Sequence, residues 1–541
     1  MTRASSQTGP SLRQWTALAA ALLFLNLSLS FHNVWPTLWI TIRHDLSVEI
    51  AAVILALIGW RALVGPPKAG VMNALAALLT VMCIGRYAEV TAPALYGRSV
   101  NIYWDVPHLP RIAAMLAESA SPWLVGAVAL GLVALLIAIF AGLRWSLGRV
   151  SGSLAVRGTR RALGALSAGL VVFYMTGYTG LPLNAWQWFS LPVSTTYWRQ
   201  AAFMLEALNN SGSENGLPTV DFIADSDLGR VSGADVFFVF VESYGATAFD
   251  DASVSEMLGP SRADLAAALN STERRAVSAF VESPTFGGAS WLAHASLFTG
   301  LEVRDNGAYD LLLTQDRETV TGRFAASGYR VVALMPGLRA AWPEGAFYGF
   351  DAVYGARALQ YLGPEFGWWR IPDQYALARL DQAELSRADR PPLFLFFPTI
   401  STHLPFRPTP PYQPDWSRVL TAQPFDADRV RQSLARTPEW TNLSPAYADT
   451  LAYTFRYLSG YLRRRASADV VLVLLGDHQP PSSVSGLEAR WDVPVHVIAG
   501  RGEILDALLD AGFTEGLTPE NAPIGPMHEL TRLLLDAFAA R

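Results

Sequence analysis

The apolar residues of this 541-residue chain are unevenly spread, with five long runs crowded into the first third, at 15–31, 50–65, 70–85, 122–143 and 162–179. That distribution limits the fold more than any other feature. Crossing the hydrocarbon core of a bilayer takes about 20 apolar residues of helix. Each run approaches that length, although the second is short and has Arg61 near its end. Five transmembrane helices are therefore expected within residues 1–182, and the rest of the chain is long enough for a water-soluble domain with its own core.

The basic residues orient these helices. With Arg3 and Arg13 cytoplasmic, the loops on that side also carry Arg61, Lys68 and the acid-free stretch RWSLGRVSGSLAVRGTRR, which holds five arginines. The opposite loops carry Arg43, Arg86, Arg98 and Arg111, the last three offset by Glu89, Asp105 and Glu118. The positive-inside rule then puts the chain beyond the fifth run outside the cytoplasm, so the expected location is the cytoplasmic (inner) membrane, with several passes and an extracytoplasmic domain. The first run is too long, and its flanks too bare of a small-residue cleavage site, for a removable signal peptide; it reads as an anchor. Cys83, the only cysteine, lies inside the third run, which excludes disulfides within the chain.

Residues 183–232 read as a juxtamembrane segment and linker. Trp186, Trp188, Phe189, Tyr197 and Trp198 are side chains of the kind that settle at headgroup level, and SGSENGLP then breaks the pattern. A net charge of −5 and the lack of a basic, aromatic-interleaved patch argue against a nucleic-acid partner.

From 233 to 541 the chain alternates short apolar runs with amphipathic stretches such as 452–465. VFFVFV (236–241), YRVVALM (329–335), LFLFF (393–397), VVLVLL (470–475) and VPVHVIA (493–499) are rich in β-branched and aromatic residues and bounded by turn residues. Strands that are apolar almost throughout belong to a sheet covered on both faces, so the fold class is α/β, a sandwich of helices about a sheet.

Chemistry gathers where these strands end. The first runs directly into Glu242, the third is followed by PTISTHLPF with His403, and the fourth ends in GDHQPP with Asp477 and His478. In open α/β sheets ligands collect outside the carboxyl ends of the strands. Singly, Glu242 has an explanation as a helix cap, His403 as a loop histidine and Asp477 as a turn residue. Jointly, a Glu, Asp and His set suits a divalent ion with nitrogen and oxygen ligands, zinc or manganese. A further stretch, SPTFGGASWLAHASLFTGL from Ser283, places Ser290 after a Gly-Gly turn at the start of a helical run. Two readings stand: a serine that caps its helix, or a nucleophile or phosphate site at a helix N-terminus, with a nearby cation to lower the hydroxyl pKa.

FVESYG, GGASWLAHASLFTGL, STHLPF and LLGDHQPP, in that order behind five apolar runs, resemble the sulfatase-type branch of the alkaline phosphatase superfamily. Within that branch the resemblance is to the lipoteichoic acid synthase and phosphoglycerol transferase group. From Ser290, S-W-L-A-H-A-S-L-F-T-G lies in register with the sulfatase pattern C/S-x-P-S-R-A-A-L-L-T-G. The resemblance implies an alkaline-phosphatase-like α/β/α sandwich in which Glu242, Asp477 and His478 bind a metal. It implies that Ser290 is nucleophile and fourth ligand, and that His403 contacts the substrate phosphate or protonates the leaving group.

In AWPEGAFYGFD, Trp342 matches a substrate-binding tryptophan of the family, while Glu344 stands where the family has an arginine; Arg339 is a nearby substitute. Asp373 occupies an acidic position of the family and reads as a helix cap rather than a ligand. His294 replaces the signature arginine and the signature proline is missing, so Ser290 is expected to keep an ordinary hydroxyl. For His294 a packing role and a substrate-binding role both remain. The favoured function is transfer of a phosphate-linked headgroup, of the phosphoglycerol or phosphoethanolamine type, from a membrane phospholipid to an envelope glycan or lipid. A hydrolase of the same fold and a non-catalytic envelope binding protein are the alternatives, and the intact ligand set argues against the latter.

Overall fold

A computed structural model describes residues 11–34, 37–96, 102, 113, 121–177, 188–210, 217–339, 342–367, 371–387, 389–520 and 522–540. The chain divides into two compact units, one of Met1–Pro93 with Ser99–Ser213 and the other of Glu214–Arg541 with the short stretch Ala94–Arg98.

In the N-terminal unit each of the five apolar runs forms a helix: α1 (Leu12–Ser30), α2 (Val48–Leu63), α3 (Ala69–Tyr96), α4 (Pro122–Ser153) and α5 (Arg157–Thr176). Among the described residues three helices are long and apolar enough to cross a membrane, within α1, α3 and α4. The other two fall short for different reasons. α2 has 16 residues, about 24 Å of helix against a hydrocarbon core of about 30 Å. α5 has 20 residues but begins with Arg157, Arg160 and Arg161. α1 packs on α4 and α2 on α5, around Leu18, Leu25, Ile54, Leu57, Leu147 and Leu163.

The segment rich in tryptophan becomes α6 (Val193–Asn210), which belongs to the same unit. Val193 is buried in that core, and the Tyr197 hydroxyl donates to the Val81 carbonyl at 2.8 Å. Trp188 and Trp198 stay exposed, as side chains that settle at headgroup level would be. Trp186 lies outside the described residues.

The C-terminal unit is built on a nine-stranded mixed sheet. Its strands are β1 (Asp235–Val241), β2 (Arg275–Glu282), β3 (Arg330–Met335), β4 (Ala352–Gly355), β5 (Leu393–Pro398), β6 (Val470–Gly476), β7 (Asp492–Ala499), β8 (Thr514–Glu515) and β9 (Pro523–Pro526). Their order is β8-β2-β7-β6-β1-β5-β3-β4, with β9 paired to β2. From β6 to β4 all neighbours are parallel, while β7 is antiparallel to both β6 and β2.

Side chains alternate between two cores, as the two-residue period of a strand requires. Phe237, Val239 and Val241 of β1 face one core with α7 (Ala252–Ser271), α9 (Asp373–Leu380) and α10 (Ser444–Arg464). Val236, Phe238 and Phe240 face the other with α8 (Ser290–Thr299), α11 (Gly502–Asp510) and α12 (Met527–Phe538). Burial of each large apolar side chain stabilises by about 1.5–3 kcal/mol, and here both faces of every central strand contribute. α10 shows how sequence makes one layer: Tyr447, Leu451, Thr454, Leu458 and Tyr461 recur at helical spacing and are buried, Pro445 starts the helix, and Arg463 and Arg464 end it.

This topology puts β6, β1 and β5 side by side and parallel at the centre, so Glu242, the 399–403 loop and Asp477–His478 leave the sheet along one edge. The strands β2, β4, β8 and β9 were not among the five runs read from sequence. Ser278 interrupts β2, and the others are two to four residues long at the sheet margins.

Candidate active site

Ser290 is placed by a turn with unusual backbone angles. Gly287, Gly288 and Ala289 have φ of 67°, 148° and 62°, the second in a region that only glycine adopts at little cost. Ala289 is the N-cap, Ser290 is the first helical residue, and no side-chain cap bond forms. The capping reading is therefore replaced. The Ser290 hydroxyl instead donates to Glu242 Oε2 at 3.1 Å and lies 3.2 Å from His478 Nε2. α8 directs the positive end of its dipole at the same point.

Glu242, Asp477 and His478 are buried, and their ligand-type atoms lie within 4.8 Å of one another. Each is held by other groups. Asp477 Oδ1 accepts the amides of Ser243 and His478 at 2.8 and 2.7 Å, and Asp477 Oδ2 lies 3.7 Å from His478 Nε2. His478 Nδ1–H donates to the Gln479 carbonyl at 2.8 Å, which turns Nε2 toward Ser290, as the outer partner of a metal-binding histidine does.

The donor chemistry fits a divalent cation. Burial and the Glu242 carboxylate push Asp477 up to about 7. Burial opposes charge on His478, but Asp477 and Glu242 outweigh it and raise the imidazole to about 9. Burial also works against the Glu242 carboxylate, yet the adjoining His478 holds it well below the usual carboxylate range. Three buried groups thus share protons to neutralise one another, a role that a cation with two carboxylate oxygens, one imidazole nitrogen and the serine oxygen as ligands would fill.

The other residues singled out in the sequence fall into distinct places. His403 is among the neighbours that lower the pKa of Glu242, and its Nδ1–H donates to the Leu404 carbonyl at 2.7 Å. Asp373 neither caps α9, where Pro372 is the N-cap, nor joins the metal-type group. Its carboxylate accepts the amides of Ile400 and Ser401 at 3.0 and 2.8 Å, and so fixes the loop that presents His403.

His294 lies one turn after Ser290 on the same helix face. Its ring packs edge-on against Phe240 at 4.5 Å and Phe396 at 5.1 Å. Burial lowers its pKa to about 3, so the ring is neutral, and Nε2 is buried with no hydrogen-bond partner. Arg339 is half-buried after β3. Trp342 is half-buried against Tyr348 and Phe350, both at 5.9 Å, and Glu344 is half-buried in the short helix that follows. The preceding residues 340–341 lie outside the described residues.

Sequence reasoning missed several supporting residues. Ser243, with φ of 59°, donates its hydroxyl to Glu242 Oε1 at 3.2 Å, and its carbonyl accepts the Tyr447 hydroxyl at 2.9 Å. Thr399 Oγ1 accepts the Glu242 amide at 3.2 Å. Gln479 accepts from Thr247 Oγ1 at 2.8 Å and donates to the Arg490 carbonyl at 2.8 Å, joining the loop after β1 to that after β6. Nothing in the spacing of these residues signals such roles.

No protein-family model matches the chain, and a search of curated proteins finds no match. Solved structures that match part of the chain include a protein in the alkaline phosphatase superfamily from Vibrio parahaemolyticus, 16% identical, with a TM-score of 0.34 over 53% of this chain and 64% of that one. Two more particular similarities are to the lipoteichoic acid synthase LtaP from Listeria monocytogenes and the Streptococcus pyogenes phosphoglycerol transferase GacH in complex with sn-glycerol-1-phosphate. LtaP is 12% identical with a TM-score of 0.34, covering 52% of this chain and 69% of its own. GacH is 13% identical with a TM-score of 0.38, covering 59% and 78%. The likeness is one of fold.

Proposed function

We propose that the protein is a membrane-anchored, metal-dependent phosphotransferase. It would move a phosphate-linked headgroup, phosphoglycerol or phosphoethanolamine in type, from a phospholipid to an envelope glycan or lipid through a Ser290-linked intermediate. The observation that carries this reading is the placement of the Ser290 hydroxyl against Glu242 Oε2 and His478 Nε2 rather than in a helix cap. The extracytoplasmic placement of residues 233–541 rests on the arginine distribution.

Glu242, Asp477, His478 and Ser290 would hold one divalent ion, manganese or zinc. When bound, it would lower the pKa of the serine hydroxyl and neutralise charge on the phosphate. With its proton released to solvent, Ser290 Oγ bonds to phosphorus as the ester bond to the lipid oxygen breaks, and His403 protonates that oxygen. In the second half, the acceptor hydroxyl gives its proton to His403, its oxygen bonds to phosphorus, and the bond to Ser290 breaks with its electron pair returning to Oγ. The helix dipole at Ser290 favours the anion throughout. Arg339, Trp342 and His294 are the proposed substrate-binding side chains.

The direct test is to incubate the full-length protein with vesicles of headgroup-labelled phosphatidylglycerol or phosphatidylethanolamine and to map the label. The expected result is label on Ser290, dependent on a divalent ion and lost together with bound metal in Asp477→Asn. Label elsewhere, or labelling of Ser290 that is indifferent to chelation and to Asp477→Asn, would count against the mechanism. Release of the label only to water would make the protein a hydrolase.

A further inference from the structure

The edge of the sheet opposite the candidate active site carries its own concentration of charge. Asp235 opens β1 and Glu242 follows its far end, so the two stand about 20 Å apart, the length of a seven-residue strand. A cavity of about 350 Å³ lies at the Asp235 end, lined by Asp235, Arg390, Arg464, Arg465 and Asp469 together with Gly233, Ser467 and Ala468. That volume is about tenfold a water molecule's share of the liquid and falls within the range of small-molecule sites. No aromatic or large aliphatic side chain lines it, so it suits a charged, polar ligand.

The arginines here are not equally engaged. Arg390 grips Asp235 with both end nitrogens at 2.6 Å, and Arg501 holds Asp469. Arg465 differs: Asp381, just after α9, and Asp235 stand 3.5 and 3.9 Å from its end nitrogens, too far for a normal hydrogen bond, and its Nε is buried without a partner. Arg464 reaches the other oxygen of Asp381 at 3.3 Å. Tyr461, one turn before Arg465 on the same face of the chain, is 4% exposed, and its hydroxyl also lacks a partner. Buried donors in this condition are costly, and a ligand that accepts from them removes the cost. The carboxyl end of α10 would oppose an anion, but Arg274 donates to the Leu462, Arg465 and Ala468 carbonyls and occupies that end.

Charge selects the ligand. Five arginines stand against three aspartates, counting Arg274, Arg501 and Asp381 with the lining residues, so two positive charges are in excess. A phosphate group carries about −1.5 to −2 at neutral pH and accepts through several oxygens, which matches both that excess and the planar forks of the guanidiniums. A carboxylate supplies a single charge. From this arrangement we infer that the cavity binds a small phosphate-bearing anion, free phosphate or a phosphomonoester, at a site separate from the candidate active site. The event is binding alone, and it rests on no part of the transferase reading.

Equilibrium dialysis of the full-length protein in detergent, with divalent ions chelated, separates this cavity from the proposed cation-dependent site. Labelled inorganic phosphate is the probe, and methyl phosphate and acetate are the competitors. About one phosphate per chain is expected to bind with the chelator present, and acetate at the same concentration is expected not to displace it. Displacement by methyl phosphate supports a site open to esters, and failure of methyl phosphate supports one closed over the free ion. Arg464→Gln, at a side chain 47% exposed, and Arg465→Gln are each expected to weaken binding about tenfold. Arg465→Lys is expected to recover part of that loss, since it keeps the charge without the fork. Arg431→Gln, at an exposed ion pair elsewhere, is the control and is expected to bind as the parent does. Absence of phosphate binding in the chelated parent overturns the inference, as does equal displacement by acetate. It is overturned too if Arg464→Gln and Arg465→Gln bind like the control. Should Arg465→Gln not fold, the parent and Arg464→Gln decide. None of these outcomes bears on Ser290, whose labelling tests the transferase reading separately.

Discussion

Gly476 is the most stringent test of how the site is assembled. It closes β6, and the turn after β1 approaches there so tightly that a Cβ on residue 476 would lie 1.8 Å from the Tyr244 carbonyl oxygen, 2.8 Å from its carbon and 3.1 Å from Val493 Cβ. An ordinary carbon–oxygen contact is about 3.3 Å, so Gly476→Ala forces a displacement of about 1.5 Å. The obstacle is backbone and cannot rotate away. Overpacking costs typically 1–3 kcal/mol, and the upper end applies where backbone must yield. A domain of this size then melts roughly 5 °C lower.

The site should suffer far more than the fold. Asp477 follows Gly476 directly, and Glu242 precedes Tyr244 by two residues, so the displacement falls between two of the three proposed ligands. A misplacement of about 1 Å in a catalytic geometry costs about a hundredfold in rate. Thermal melting, metal content per chain and Ser290 labelling, measured on the full-length protein, should show a modest fall in melting temperature beside loss of metal and near-complete loss of labelling. Gly259→Ala is the control, because its added Cβ meets nothing within 4 Å and helix propensity makes it neutral to stabilising by about 1 kcal/mol. Parent-like metal content and labelling in Gly476→Ala would refute the reasoning.

Three further outcomes are expected. Ser290→Asn should fold with a melting temperature close to the parent and form no covalent adduct, whereas Ser290→Thr, which keeps a hydroxyl, should retain metal and measurable labelling; turnover by the Asn variant near the parent rate would end the nucleophile assignment. His496 is buried and neutral, with its pKa driven by burial to about 3 against an ordinary 6.5. Its contribution to stability is complete above pH 6.5 and is lost as pH falls toward 3, at about 1.4 kcal/mol per pH unit. Acid melting of the full-length protein should therefore be less steep in His496→Gln, and identical slopes would contradict the assignment. A reporter active only outside the cytoplasm should work when fused after residue 230 and fail within 144–161; the reverse would overturn the orientation.

The residues of the candidate site were legible in the sequence because they sit directly after strands that are apolar throughout. β1, β3, β5, β6 and β7 could be read from composition, and Glu242, His403, Asp477 and His478 follow three of them. The residues that hold the site in place were not legible, because their roles depend on contacts distant in sequence. Thr399 meets the amide of Glu242 at a separation of 157 residues, and Asp373 meets Ile400 across 27. His496 sits in a strand that reads as plain core. There its Nδ1–H donates to Ser278 Oγ at 2.6 Å, and its Nε2 accepts the Tyr244 hydroxyl at 3.0 Å. The role of Ser290 was ambiguous for a local reason, since the left-handed backbone of Ala289 moves the cap back by one residue.

The pairing of β1 with β6 also sets when the donor set can exist. The amide of Ser243 reaches the Asp477 carboxylate across 234 residues, and Ser290 reaches His478 across 188. A growing chain that has emerged only as far as β5 holds Glu242 and Ser290 without either partner from β6. Bringing such distant strands together is a late and entropically demanding event. The proposed cation site is therefore complete only once the sheet is, and a nascent chain has no such site with which to hold the wrong ion before the domain has closed.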